Sequence, residues 1–341
     1  MKSFSVSFTR LPRVVFSVGV AALLGSLAVP AHAVTIDWVT VGDPGNAADD
    51  TTYGAVADSF QIMKFEFTNQ QYTDFLNSVA ATDTYSLYNT NMGSNSRGGI
   101  TRSGASGSYT YAVRTNMGDK PVNYVSWFDA ARVSNWLMNG ATATSSTETG
   151  AYTLVGGQTS GTSPAVNPGA TFYIPTENQW YKAAYYKGGS TSAGYWNYAT
   201  QSDTDPTAVT ADSTGIGSAG NTGNFANYNG VAIWNGENNM TTVGTNGGAS
   251  AYGAFDMSGN AAELNDLTGA ADSLRGLRGG TRSNAAFDIS SSYRLAAVPS
   301  EASSRGFRLA SLAAVPEPST YAMTLAGLAC GGYTLFRRRR A

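Results

Sequence analysis

The chain has 341 residues, 13% of them charged, and a formal net charge of −2. This length suits one large domain or two small ones, and the hydrophobic content of 42% argues against disorder. The only cysteine is Cys330 and the only histidine is His32, so the body between them has neither. Disulfides, thiolate nucleophiles, zinc sites built on His and Cys, and Ser-His-Asp triads are therefore excluded from the body. Abundant Gly, Ser, Thr, Asn and Tyr indicate a loop-rich, extracytoplasmic protein.

Residues 1–33 have the pattern of a secretory signal peptide. Lys2, Arg10 and Arg13 form its positive region, residues 14–29 are apolar, and Ala-His-Ala at 31–33 is the predicted cleavage site. This pattern predicts export and processing by signal peptidase.

A strand-and-helix unit is predicted next. Residues 34–41 alternate apolar and polar side chains and indicate a strand, which with a polar loop forms a segment at 34–59 ahead of the main domain. Residues 61–67 predict a second strand. Thr68 and Gln71 then form a capping box at the start of an amphipathic helix.

A long loop with one hairpin near residues 109–111 is predicted from 83 to 119, either as a surface insertion or as a functional loop. The helix that follows has Ser126 as its N-cap and Asp129 three residues later. Trp127 and Trp136 lie on its apolar side and are predicted to be core residues.

A third helix is predicted after residue 176. Thr176 and Gln179 form another capping box. Glu177 lies in the first turn, where a carboxylate interacts favourably with the helix dipole, so a structural role is predicted for it. Residues 185–240 are irregular and rich in Asn, Tyr and Gly.

The most informative stretch is residues 252–309, which turns repeatedly at glycines. Asn260 and Glu263 place an amide oxygen and a carboxylate three residues apart in a bend, which suits a hard cation such as calcium. The alternative is that Asn260 caps a turn and Glu263 pairs with an arginine.

Five ordered motif blocks resemble the formylglycine-generating enzyme family, also called sulfatase-modifying-factor domains. The closing block contains Asp-Met-x-Gly-Asn-x-x-Glu at 256–263, Arg-Gly-Gly at 278–280 and Gly-Phe-Arg at 306–308. It departs from the family pattern at Ala262 and Leu264, where the family has tryptophans. The resemblance implies one domain over residues 60–311 with the family's C-type-lectin-like α+β fold: short twisted sheets, few helices and much irregular loop.

The resemblance also implies calcium as a possible cofactor. Family members hold calcium with an asparagine side chain and the carbonyl of the next residue. Asn227 and the carbonyl of Tyr228 are therefore candidates for one calcium site, and Asn260 and Glu263 for a second.

The family's founding activity oxidises a sulfatase cysteine to formylglycine with two copper-binding cysteines that follow the Arg-Gly-Gly run. The corresponding residues 282–290 contain no cysteine, and Asn, Ala and Ser cannot replace thiolate coordination of Cu(I). The prediction is therefore a non-catalytic binding or structural module for polysaccharide or an envelope protein. Its recognition surface is predicted on the old active-site face, formed by Trp234, Arg282, Asn284, Phe287 and Tyr293.

The alternative function is a hydrolase of extracellular polysaccharide that uses carboxylates as acid and base. Its candidate residues are Asp256, Glu263 and Glu177. Two carboxyl groups facing one cleft with raised pKa values would favour this alternative. A third possibility is a scaffold for cell-surface assembly.

Residues 315–341 resemble the PEP-CTERM sorting tail of Gram-negative bacteria, which an exosortase is thought to recognise and remove. Val-Pro-Glu-Pro at 315–318 precedes an apolar run at 321–336 and four arginines at 337–340. That run is shorter than the ~20 residues of a comfortable transmembrane helix. The arginines predict a transient inner-membrane anchor with a cytoplasmic end. The predicted destination is the cell envelope or extracellular matrix; the alternative is a plain C-terminal anchor.

The two predicted sorting segments carry much of the chain's positive charge. Each has a surplus of three positive charges, so the body between them has a net charge of about −8 within a chain of −2. An acidic body offers no electrostatic reason to bind nucleic acid or anionic lipid.

Overall fold

The computed structural model describes residues 34–312. Within this range the helices are α1 (Asn69–Val79), α2 (Asn91–Ser94), α3 (Trp127–Met138) and α4 (Glu177–Tyr185). The strands, in chain order, are β1 (Trp38–Val41), β2 (Phe60–Met63), β3 (Ile100–Ser103), β4 (Thr110–Val113), β5 (Phe172–Tyr173), β6 (Thr207–Ala208), β7 (Phe225–Ala226), β8 (Ile233–Trp234), β9 (Glu237–Asn238), β10 (Ala262–Asn265), β11 (Arg275–Arg278), β12 (Leu295–Ala297), β13 (Arg305–Phe307) and β14 (Ala310–Ser311). Few helices, short strands and long loops confirm the predicted α+β class.

Two four-stranded sheets carry most of the pairing, with orders β1-β2-β14-β5 and β12-β11-β10-β13. In the second sheet, β10 pairs antiparallel with β11 and parallel with β13. The first sheet joins both ends of the described range, because β2 lies between β1 and β14. The predicted long loop contains α2 and the β3–β4 hairpin, in which Ile100 lies opposite Val113.

Both predicted capping boxes, at the starts of α1 and α4, are confirmed, and the predicted Ser126 N-cap of α3 also forms a capping box with Asp129. At the start of α3, Asp129 Oδ2 accepts a hydrogen bond of 2.7 Å from the backbone N–H of Ser126, and Ser126 Oγ accepts one of 3.2 Å from the N–H of Asp129. The same reciprocal pattern starts α1 and α4. Each cap satisfies backbone donors that would otherwise lack partners and is worth ~1 kcal/mol.

Aromatic side chains fill the core between α1, α3 and the first sheet. Trp127 and Trp136 are almost completely buried, which confirms their predicted core position. Trp136 meets Phe75 of α1 edge-on at 5.3 Å, and Trp127 meets Tyr152 edge-on at 4.9 Å. Such pairs add about 1 kcal/mol each to the effect of burial and fix the angle between elements.

The predicted signal peptide at 1–33 and the predicted sorting tail at 315–341 lie outside the described residues. Among residues 34–312, no helix is both long enough and apolar enough to cross a membrane.

Candidate ligand-binding site

A pocket of about 260 Å³ opens beside the second sheet, where the chain turns after β11. Its lining includes Leu277, Thr281, Asn284, Tyr293, Leu295 and Arg305. This is the face on which the sequence predicts a recognition surface, and Asn284 and Tyr293 meet there. We call it the sheet pocket.

Hydrogen bonds fix the position of Asn284 in the sheet pocket. Its Oδ1 accepts from the backbone N–H and the hydroxyl of Thr281, both at 2.8 Å. Its Nδ2 donates to Asp288 Oδ2 at 3.2 Å. The side chain is therefore held in one orientation at the wall.

An exposed aromatic pair lies next to the sheet pocket. The Phe287 side chain is 62% exposed, and its ring meets that of Tyr293 edge-on at 5.9 Å. Tyr293 also lines the pocket, so the pair extends the pocket wall into solvent. Exposing a phenyl ring costs free energy that a covering ligand recovers.

Arg282 and Trp234, the other two predicted contact residues, are buried and outside the pocket lining. Arg282 donates to the carbonyls of Asn238 and Ser303, both at 3.3 Å, and burial lowers its pKa to about 10. The indole Nε1 of Trp234 donates to the carbonyl of Met240 at 2.9 Å. In this geometry both side chains support loops.

One atom of Asn227, its side-chain Oδ1, has the position expected of a cation ligand. Its buried Nδ2 donates to the carbonyl of Asn239, the hydroxyl of Thr241 and Oδ1 of Asn260 at 3.0–3.1 Å. Its Oδ1 is also buried and accepts no hydrogen bond within the described chain. A buried oxygen without a donor is costly, so Asn227 fits the oxygen-rich environment that calcium requires. The Tyr228 hydroxyl, which is not the predicted ligand atom, donates to the carbonyl of Pro206 at 2.5 Å, and the Tyr228 carbonyl stays a predicted ligand.

The side chains of Asn260 and Glu263 are already engaged. Asn260 Oδ1 accepts from Asn227 and from the N–H of Thr241. Both oxygens of Glu263 bind the Arg308 guanidinium at 2.6 Å, and Oε2 also accepts from the Trp180 indole at 2.7 Å. This carboxylate does not fit a calcium ligand, because its charge is neutralised and its oxygens are occupied. The structure instead matches the alternative given for Glu263, in which it pairs with an arginine.

The described residues contain no cluster of three or more His, Cys, Asp or Glu side chains able to hold a metal. The calcium assignments stay predictions.

The carboxylates named for the hydrolase alternative are also engaged. Glu177 Oε1 accepts from Arg278 and Arg294, each at 2.8 Å. Asp256 accepts from the N–H of Gly244 at 2.5 Å and from Asn246 at 2.9 Å, while burial raises its pKa. Glu263 is in the ion pair with Arg308. All three stabilise the fold through these contacts.

Sequence reasoning missed a larger cavity of about 660 Å³ at the start of α3. Its lining includes Tyr85, Asp129, Val298, Ser300 and Glu301, and we call it the acidic cavity. Only the capping role of Asp129 is visible in the sequence. The residues that join it come from loops far apart in the chain.

Taken together, the short twisted sheets, capped helices and loop-built pockets define a C-type-lectin-like α+β protein. The sequence matches the family described as "Sulfatase-modifying factor enzyme 1-like domain" over residues 36–313. The chain belongs to this family, as the motif blocks indicated. A search of curated proteins gives no significant match.

Three solved structures are similar to this chain. CarF is 21% identical, with a TM-score of 0.50, over 82% of this chain and 99% of CarF. Treponema denticola variable protein 1 is 18% identical, with a TM-score of 0.47, over 83% of this chain and 97% of its own. PvdO from Pseudomonas aeruginosa is 18% identical, with a TM-score of 0.40, over 81% and 91%. The likeness to CarF supports the fold alone.

Proposed function

We propose that this chain is an exported, non-catalytic binding module that recognises polysaccharide through the sheet pocket. The observation that carries the proposal is the contact of exposed Phe287 with half-buried Tyr293 beside a pocket with a fixed amide, Asn284. Sugar rings present apolar C–H faces that pack on aromatic rings and hydroxyls that bond to amides. Tyr and Asn make such contacts with little loss of side-chain entropy.

The absence of thiols supports binding over oxidation. Residues 282–290 follow the Arg-Gly-Gly run and contain neither Cys nor His. The soft ion Cu(I) requires thiolate or imidazole ligands, so this segment lacks the groups for formylglycine formation. Turnover of a cysteine-containing peptide by the purified protein would contradict this part of the proposal.

Export is the second part of the proposal and depends on the two ends of the sequence. The predicted signal peptide and PEP-CTERM tail support delivery to the envelope or matrix, with signal peptidase and an exosortase as processing partners. An envelope protein is the other class of partner that this location would offer. Mass spectrometry of the protein from the cell surface would reveal whether both ends are removed.

The binding proposal is tested on a glycan array followed by titration calorimetry. Phe287→Ala is expected to weaken glycan binding roughly tenfold, since a contact residue of this size contributes about 1–2 kcal/mol. Val155→Ala is the matched control, because Val155 is 75% exposed and lies outside the sheet pocket. Equal affinities for the two variants, or no glycan bound by the parent protein, would contradict the proposal.

A calcium ion at Asn227 is a further proposal, supported by its unpartnered buried Oδ1. The melting temperature is expected to rise with calcium by linkage, corresponding to about 2.7 kcal/mol at one hundred times the Kd. Magnesium is expected to give a smaller rise, since it demands a tighter octahedral site.

The variant Asn227→Leu separates calcium binding from folding. It is expected to lower the basal melting temperature, because three hydrogen bonds are lost, and to remove the increment with calcium. The calcium proposal is wrong if differential scanning fluorimetry gives the same melting temperature for the parent protein with calcium and with EDTA.

A further inference from the structure

The acidic cavity has the size of a small-molecule site, at about 660 Å³. Tyr85, Val298 and Pro299 give it an apolar wall, and hydroxyls such as those of Ser160 and Ser300 give it hydrogen-bonding groups. No lysine or arginine belongs to the lining. The cavity lies at the start of α3 and shares no lining residue with the sheet pocket.

Two carboxyl groups in the lining, Asp129 and Glu301, lack a cationic partner. Among the ion pairs of the described residues, neither group takes part. Both hydrogen bonds from Ser126 go to Oδ2 of Asp129. The amide of Asn89 donates to Glu301 Oε2. These donors are neutral, so neither carboxyl group is in an ion pair.

The neighbouring charges are paired with one another. Arg132 Nε binds Glu148 at 2.7 Å, and Arg102 binds Asp83 at 3.0 Å. Arg132 also stacks on Tyr85 at 4.6 Å. Because these cations already have acidic partners, the region around Asp129 and Glu301 is left with an excess of negative charge.

The titration of the two acids is consistent with this excess. Burial raises the pKa of Asp129 to about 7, against the hydrogen bonds from Ser126; the charge of Glu301 raises it and Arg132 lowers it. Burial also raises the pKa of Glu301, and Asp83 adds to that increase. Burial raises the pKa of the Tyr72 hydroxyl, and the charges of Asp129, Asp83 and Glu301 add to that increase. A cation in the cavity would reverse these shifts.

We propose that the acidic cavity binds a primary ammonium group, carried by an amino sugar or by a lysine side chain. An ammonium is a compact charge with three donors, which match two carboxylates and a hydroxyl acceptor. The apolar wall would cover the carbon atoms that carry the amine. The apolar wall of Tyr85, Val298 and Pro299 favours an organic cation over a metal ion, because a metal ion has no carbon atoms for that wall to cover.

The first experiment compares free and acetylated amines by titration calorimetry on the purified protein. One arm uses Nα-acetyl-lysine amide against its Nε-acetylated form; the other uses glucosamine oligomers against N-acetylglucosamine oligomers. At least tenfold tighter binding of the free amine in one arm identifies its source. Equal affinity of free and acetylated probes in both arms overturns the proposal. Hydrolysis of the oligomers also overturns it, in favour of the carboxylate-dependent hydrolase, because Asp129 and Glu301 are two carboxyl groups with raised pKa values in one cavity.

The variant Glu301→Gln tests the site without removing the α3 cap, which Asp129→Asn would disturb. Its amide oxygen can still accept from Asn89, while the charge is gone. Roughly tenfold weaker binding of the amine is expected. Asp58→Asn is the matched control, because Asp58 is an exposed carboxylate outside the cavity lining. Equal losses in both variants overturn the proposal.

The pH dependence of amine affinity gives an independent test of the proposal. The ammonium of Nα-acetyl-lysine amide stays protonated from pH 5.5 to 8, while Asp129 becomes protonated below its pKa of about 7. Affinity is expected to fall roughly tenfold from pH 8 to 5.5, as for the loss of the Glu301 charge. A flat profile overturns the proposal. Nα-acetyl-lysine amide contains no sugar ring, so failure here is distinct from failure of the glycan proposal.

Discussion

Replacing Arg308 with methionine is expected to lower the free energy of unfolding by about 3–5 kcal/mol. Arg308 and Glu263 are both completely buried, and their two hydrogen bonds are 2.6 Å long. Without the guanidinium, the Glu263 carboxylate would stay buried without a partner, and the carbonyl of Phe255 would lose a donor at 2.8 Å. Thermal unfolding should shift down by roughly 10 °C.

Lys187→Met provides the control for this ion pair. Lys187 and Asp203 are 3.9 Å apart and largely solvated, so losing that pair costs no more than about 1 kcal/mol, even counting the contact of Lys187 with Trp196. The double variant Glu263→Leu/Arg308→Met should recover part of the loss, because the Glu263 carboxylate is no longer left buried without its partner. Equal, small losses for Arg308→Met and Lys187→Met would disprove the role given to the buried pair.

Gly259→Ala is expected to destabilise the protein by about 3 kcal/mol or more. Gly259 has a φ of +90°, where an L-residue is strained by about 1–2 kcal/mol. A Cβ there would also collide with the carbonyl oxygen of Asn227 and lie 3.0 Å from its carbonyl carbon. Backbone atoms cannot move aside cheaply, so overpacking adds about 1–3 kcal/mol.

Gly253→Ala isolates the strain from the collision. Gly253 has the same φ of +90°, but its added Cβ would meet only Val39 Cγ1 at 3.4 Å. Its loss should be about 1–2 kcal/mol, visible in chemical denaturation as a smaller shift of the midpoint. If both variants lower the free energy of unfolding equally, then the short distance between the Asn227 carbonyl and Gly259 does not constrain this turn.

Local rules predicted the elements that begin at a cap. Ser126 and Asp129 lie three residues apart, so their reciprocal hydrogen bonds depend only on nearby backbone geometry. The tryptophans of α3 were predictable for a similar reason, since helical periodicity puts them on one face. The family motifs in addition predicted the fold class.

Contacts with residues far apart in the sequence decided which of the predicted site residues are exposed and which are engaged. Glu263 is occupied by an arginine from the end of the domain, whereas Phe287 is left exposed beside Tyr293. Tryptophan and arginine are common at binding surfaces, yet Trp234 and Arg282 are buried and donate hydrogen bonds to backbone carbonyls of loops. Residue type does not specify whether a side chain meets solvent or another loop.

The sequence by itself determined the helix starts, the aromatic core of α3, the family and the lack of thiol and imidazole chemistry between His32 and Cys330. The tertiary structure alone decided which carboxylates are neutralised and which remain without a cation. The physical reason is that pairing and burial depend on loops that meet across the fold. Asp129 and Glu301 line one cavity only because the chain returns to the start of α3 near its end.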